Sequence, residues 1–196
     1  MFVRNWMSSP VLTRPAFTPV THALEFMRSH DIGRLPVVQA GSLVGIVTHT
    51  DLEKYLGVGP GASLSTDATL KELMTTRVVT VSPGDTIEHA TAVLLERGVS
   101  GLPVVENHKV VGILAESDIF RAFNEIMGNG QRGARIVFTI DAEADLAEEL
   151  HRRLHGKAVS SLVVRRLASG AREAVARVAG PDTSLLRREV EAATRR

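Results

Sequence analysis

No cysteine occurs among the 196 residues. Disulfides, thiolate nucleophiles and Cys-ligated metal centres are thereby excluded, and the redox compartment stays open. No apolar run approaches the roughly 18 residues needed to span a bilayer, and the opening MFVRNWMSSP lacks the continuous apolar core of a secretory signal. A cytoplasmic location is expected. Charge of one sign is lacking as well, with 23 Lys and Arg against 22 Asp and Glu. The spread is uneven, since residues 131–196 carry 13 basic and 9 acidic side chains. A basic C-terminal third can suit nucleic acid, but the signs alternate there, Glu148-Glu149 running into Arg152-Arg153, as on a solvated helix face. Nucleic-acid binding is not expected. Catalytic signatures are missing too: there is no phosphate loop with its Lys, no Gly-x-Ser-x-Gly and no His-Glu-x-x-His. His22 and His89 recur, but early in helices and without a spacing that suggests a metal. The chain reads as a non-catalytic protein that needs no metal.

What is present is an internal repeat. The segment from Met7 to about Tyr55 returns without a gap from Met74 to about Ala122, at a constant offset of 67 residues. Leu35-Pro36-Val37-Val38 answers to Leu102-Pro103-Val104-Val105, and Val44-Gly45-Ile46 to Val111-Gly112-Ile113. Ungapped self-similarity at a fixed period marks a duplicated supersecondary unit. Two copies are too few for a solenoid and imply one pseudo-symmetric domain with twin clefts. Each copy reads β-α-β-β-α: an extended piece (Val11–Thr13; Val78–Val81), a helix (Pro19–Arg28; Thr86–Arg97), a hairpin and a final helix starting near Asp51 and near Asp118. In the second copy Asp85 is a candidate N-cap with Glu88 three residues on. The hairpins turn at Ala40-Gly41-Ser42 and Asn107-His108-Lys109.

These patterns divide the chain into a first repeat (1–57), a Gly/Pro linker (58–69), a second repeat (70–127), a second linker (128–134) and a C-terminal unit (135–196). The last unit reads strand 135–140, helix 145–155, strand 159–166, strand 173–178 and a helix from Pro181 through Ala193. That βαββα order is ferredoxin-like without its last strand. The fold class is α/β of the α+β kind.

The chemistry concentrates where the second hairpin strand meets the last helix, at Gly45-Ile46-Val47-Thr48-His49-Thr50-Asp51 and Gly112-Ile113-Leu114-Ala115-Glu116-Ser117-Asp118. Glycine lets the strand end pass close to another group. A helix N-terminus offers unpaired N–H donors and partial positive charge to a phosphate. A carboxylate there accepts from two neighbouring hydroxyls, as a ribose diol requires. Thr48-x-x-Asp51 is equally a helix capping box. The recurrence of the Asp in both copies tips the balance toward a nucleotide site.

These residues resemble the cystathionine-β-synthase (CBS) domain pair, the Bateman module. The resemblance rests on the Met-Ser/Thr-x-x-Val-x-Thr openings at Met7 and Met74, the Leu-Pro-Val-Val blocks and the Gly-x-x-x-x-x-Asp endings. It implies two clefts for adenosine derivatives such as AMP, ADP, ATP or S-adenosylmethionine. Carried over by position, the binding residues are Thr13, Arg34, Thr48 and Asp51 in the first copy and Thr80, Gly101, Ser117 and Asp118 in the second. The second copy has Ala115 in place of Thr48 and Gly101 in place of Arg34, so the first is expected to supply the main phosphate contacts. The resemblance also implies a disc-like homodimer and a regulatory role toward a target protein. The alternative is a dimerisation or docking module with vestigial clefts. The C-terminal unit resembles an ACT domain, an arrangement like that of AcuB-type (acetoin utilisation) proteins. Asp141-Ala142-Glu143-Ala144 lacks the Gly that admits an amino-acid ligand, so a packing role is expected there.

Overall fold

The computed structural model describes residues 1–57, 67–128, 133–154 and 156–178. The chain forms two compact units, Met1–Ile119 and Phe120–Arg196.

In the N-terminal unit the first copy comprises β1 (Arg14–Pro15), α1 (Val20–Ser29), β2 (Arg34–Gln39), β3 (Ser42–Thr48) and α2 (His49–Leu56). The second comprises α3 (Leu70–Leu73), α4 (Ile87–Arg97), β4 (Gly101–Glu106), β5 (Lys109–Ala115) and α5 (Glu116–Ile126), the unit boundary falling inside α5. One five-stranded sheet holds both hairpins in the order β1-β2-β3-β5-β4. The duplication is visible residue by residue: β2 and β4 share one alternation of buried and exposed positions, and so do β3 and β5. Each hairpin turns on two residues with positive φ, Ala40 and Gly41 in one and Asn107 and His108 in the other, the type I′ geometry that matches strand twist. The first core gathers Val20, Leu24 and Met27 from α1, Leu35 and Val37 from β2, Val47 from β3 and Leu52 from α2.

The two copies exchange their leading segments. Ser8 bridges Ile113 of β5, and Thr75 bridges Ile46 of β3. Val3 N–H donates to Asp85 O at 2.9 Å and Ile87 N–H to Met1 O at 2.9 Å. At the matching place Val20 N–H donates to Ala68 O and Leu70 N–H to Thr18 O, both at 3.0 Å. Each copy is thus closed by chain that precedes the other copy, and neither half is complete alone.

Three expectations shift. The opening strand falls at Arg14–Pro15 rather than Val11–Thr13, and the second copy shows only a bridge from Val81 to Val104. Thr86, not Asp85, caps α4: its hydroxyl accepts from His89 N–H at 3.1 Å. Asp85 instead accepts from Ser82 N–H at 2.7 Å, closing the turn ahead of the helix. Each hairpin loop is two residues long, because Ser42 and Lys109 already pair with Gln39 and Glu106.

The C-terminal unit holds β6 (Ala134–Ile140), α6 (Leu146–Leu154), β7 (Val159–Arg166) and β8 (Arg172–Val178). Its antiparallel sheet runs β6-β8-β7, which is the split β-α-β arrangement with the third strand in the gap. Ile136, Phe138 and Ile140 of β6, Ala174, Ala176 and Val178 of β8 and Leu154 of α6 form its core. The expected helix through Ala193 lies outside the described residues.

Candidate functional site

The two motif endings are built alike. In each, a hairpin strand hands over directly to a helix, and the new helix's first N–H bonds to a carbonyl just before the partner strand. His49 N–H donates to Gly33 O at 2.9 Å and Glu116 N–H to Ser100 O at 3.2 Å. The Asp three residues after the strand end then folds back. Asp51 Oδ2 accepts from Thr48 N–H at 3.0 Å while Thr48 Oγ1 accepts from Asp51 N–H at 3.1 Å, a complete capping box. Asp118 Oδ2 accepts from Ala115 N–H at 2.7 Å, and with Ala115 lacking a hydroxyl the reciprocal bond is absent. Capping is therefore part of what these carboxylates do.

They differ in burial. Asp51 is exposed, whereas Asp118 is 2% exposed and is the one buried charged side chain among the described residues. Burying a carboxylate costs free energy unless donors or a ligand compensate.

The glycines act as expected of close approaches. A Cβ on Gly45 would lie 2.7 Å from Met74 Cγ, and one on Gly112 would lie 3.0 Å from Met7 Cγ and 3.2 Å from the Ser8 carbonyl oxygen. The exchanged leading segments cross over the motif strands at these two points.

Arg34 is the surprise. Its backbone lies in the first copy, where it pairs with Thr48. Its side chain crosses to the second, where Nη2 donates to Ser100 Oγ at 2.7 Å. A Cβ on Gly101 would lie 2.6–2.8 Å from Arg34 Cδ, Nε and Cζ, so glycine keeps that space open for the guanidinium. Burial pulls the Arg34 pKa below its ordinary value, opposed by the negative charges of Glu116 and Asp118. The guanidinium that the second copy lacks in sequence is thus delivered to it in space.

Of the eight residues expected at the site, Arg34 pairs with Thr48, Thr48 and Asp51 share the α2 cap, the Arg34 side chain occupies the space beside Gly101, and Ser117 and Asp118 lie in the first turn of α5. Thr80 lines an open pocket of about 370 Å³ whose walls include Ser42, Leu43, Thr76 and His108. The contact found for Thr13 is its carbonyl accepting from Arg14 Nη1 at 3.0 Å. Sequence reasoning missed Ser100, whose signal was its place just before the Leu-Pro block.

A family model for the CBS domain matches residues 3–58 and again residues 70–125. The chain belongs to the CBS-domain family. Its tandem CBS pair is similar to the L-aspartate semialdehyde sulfurtransferase of Methanocaldococcus jannaschii, 32% identical over 123 residues, which is 62% of this chain but 23% of that protein. It is also similar to the CBS domain-containing protein YhcV of Bacillus subtilis, 28% identical over 134 residues, 68% of this chain and 91% of that protein. Among solved structures, the CBS pair of protein MJ0100 superposes with a TM-score of 0.56 at 31% identity, over 64% of this chain and 97% of that one. That crystal structure holds 5′-methylthioadenosine and S-adenosyl-L-methionine. Among the described residues no helix is long and apolar enough to cross a membrane, and no cluster of His, Asp or Glu has the arrangement to hold a metal ion.

Proposed function

We propose that this CBS pair is a non-catalytic regulatory sensor that binds an adenosine-containing ligand, such as AMP, ADP, ATP, 5′-methylthioadenosine or S-adenosylmethionine. The observation that carries this reading is Asp118, a carboxylate buried at a helix start whose negative charge acts on a guanidinium from the other copy. Asp118 and Asp51 take the ribose diols of the two clefts. Among the described residues Asp51 Oδ1 has no hydrogen-bond partner, which leaves an acceptor for one hydroxyl. The adenosyl ligands held by the related pair support the same class. Ligand binding then shifts the balance between two states that a target protein distinguishes. Calorimetric titration of wild type, Asp51→Ala and Asp118→Ala with AMP, ATP and S-adenosylmethionine is the test. Each variant should lose about ten- to a hundredfold in affinity at one site, the worth of hydrogen bonds to a charged group. Unchanged affinities in both variants would contradict the assignment.

A second reading, a cytoplasmic homodimer that docks a partner, is favoured by the apolar face of α5, where Phe120 is 66% and Phe123 57% exposed. Light scattering of the full chain tests it, and a monomer at micromolar concentration would count against it. For the C-terminal unit we propose an ACT-like packing role in an AcuB-like protein, without an amino-acid ligand. Arg172 Nη2 donates to Asp141 O at 3.1 Å and also to Ala144 O, clamping the loop between β6 and α6 where such a ligand would enter.

A further inference from the structure

α5 (Glu116–Ile126) is shared by the two compact units, the boundary falling between Ile119 and Phe120. No Pro or Gly, the residues at which helices most often kink, stands between Glu116 and Ile126. Its 11 residues make a stiff rod of about 16 Å. A displacement at one end is therefore delivered to the other.

Each end has a seat of its own. At the start, Glu116 N–H donates to Ser100 O at 3.2 Å, and the buried Asp118 carboxylate accepts from Ala115 N–H at 2.7 Å. At the finish, the carbonyl of Ile126 accepts from Ser161 Oγ of β7. The last carbonyls of a helix have no partner within it, so this hydroxyl ties the helix end to the C-terminal sheet. Gly128 follows with a φ of 65°. A Cβ there would lie 2.8 Å from Arg177 Cδ of β8 and 3.2 Å from Ser161 Cβ. Glycine thus lets the chain leave the helix hard against both strands.

The first copy has no such route. Its counterpart helix α2 (His49–Leu56) lies wholly within the first unit, and the N–H of Gly57 turns back onto Glu53 O and Lys54 O. That helix closes on itself.

We propose that α5 is the output element of the sensor: the C-terminal sheet reads occupancy of the Asp118 motif through the seat of Ser161 and Gly128, and does not read the Asp51 motif. A ligand on the Asp118 carboxylate holds the first turn of α5. A shift of that helix by about 1–2 Å is enough to remake a packed contact at its far end. By linkage, loosening the seat weakens the ligand by the factor with which the ligand tightens the seat. The identity of the ligand rests on the adenosyl reading above, whereas the coupling rests on α5 alone.

The test is amide hydrogen exchange of the full chain, followed in the peptides of β7 and β8. Without ligand, Asp118→Ala should raise exchange there about five- to tenfold, the lower range of coupling between sites. Asp51→Ala and Gly45→Ala weaken the first unit elsewhere and should leave those peptides within about twofold, as for distant independent sites. AMP and 5′-methylthioadenosine should slow the same peptides in wild type and in Asp51→Ala, but not in Asp118→Ala. In the reverse direction, Ser161→Ala and Gly128→Ala should weaken calorimetric AMP binding at the Asp118-dependent site about fivefold. Thermal unfolding confirms that each variant is folded, and Ser161→Ala decides the matter should Gly128→Ala fail to fold. Exchange in β7 and β8 that answers equally to Asp118→Ala and Asp51→Ala, or an AMP affinity indifferent to Ser161, would overturn the proposal. If neither probe binds the wild type, the adenosyl reading falls, and the ligand-free comparison of Asp118→Ala with Asp51→Ala still decides the coupling.

Discussion

Replacing Asp118 by Ala probes the motif independently of any ligand. The carboxylate is buried and accepts from Ala115 N–H at 2.7 Å. Truncation leaves that amide without its acceptor where the strand becomes a helix, at a cost of about 1–3 kcal/mol for a buried unsatisfied donor. For a unit of this size each kcal/mol moves the midpoint by roughly 4 °C, giving a fall of roughly 4–12 °C. Asp118→Asn keeps the size and a carbonyl acceptor and should cost less, below about 1 kcal/mol. Asp51→Ala removes an exposed cap and should cost about 1 kcal/mol. Circular dichroism melts at neutral pH without ligand give the ordering directly: Asp118→Ala lowest, then Asp51→Ala, then Asp118→Asn. A midpoint for Asp118→Ala at or above that of Asp51→Ala would refute the argument, since burial is what separates the two sites.

Other outcomes follow from the same contacts. Gly45→Ala should destabilise by about 1–3 kcal/mol through overpacking against Met74, and adding Met74→Ala should recover part of the loss in a double-mutant cycle of denaturant midpoints. Thr86→Ala should cost about 1 kcal/mol by removing the α4 cap, with Thr86→Ser close to wild type in the same melts. The Thr69 amide, then the Thr69 hydroxyl, hold the Glu72 carboxyl below the usual glutamate range. Its contribution is present above the unfolded value near 4.3 and is lost as pH falls through the lower folded value. The stability difference between wild type and Glu72→Gln should therefore shrink on acidification below about pH 4, and a constant difference would contradict this.

Much of the fold was legible because the duplication is ungapped. Two copies of Leu-Pro-Val-Val and of the Gly-to-Asp ending locate β2, β4 and the starts of α2 and α5 by internal comparison alone. Element edges were harder. Thr86 and Asp85 are both good caps, and only the backbone geometry decides that Thr86 takes the helix while Asp85 takes the turn. The exchange of leading segments was not legible, since sequence periodicity records which copy a residue belongs to and not which copy it touches. Arg34 shows the consequence. Read along the chain it belongs beside Thr48, and its backbone is there, but its side chain is long enough to cross to Ser100 and Gly101. Site residues at the seam of a pseudo-symmetric pair need the partner's coordinates. Asp51 and Asp118 were identified from recurrence, yet their different burial follows from packing that no motif encodes.

The central claim, that the CBS pair binds an adenosine-containing ligand through its two Asp-terminated motifs, is tested most directly by a thermal-shift panel of AMP, ATP, NAD, 5′-methylthioadenosine and S-adenosylmethionine on wild type and on the Asp51→Ala/Asp118→Ala double variant. A ligand that binds only the folded state stabilises it by mass action, about 2.7 kcal/mol at a hundredfold excess over Kd. The account predicts that at least one of these ligands raises the wild-type midpoint by several degrees, and that the double variant, melting lower on its own, gains nothing from the same ligand. A wild type unmoved by every member at millimolar concentration, or a double variant stabilised as much as the wild type, would contradict it.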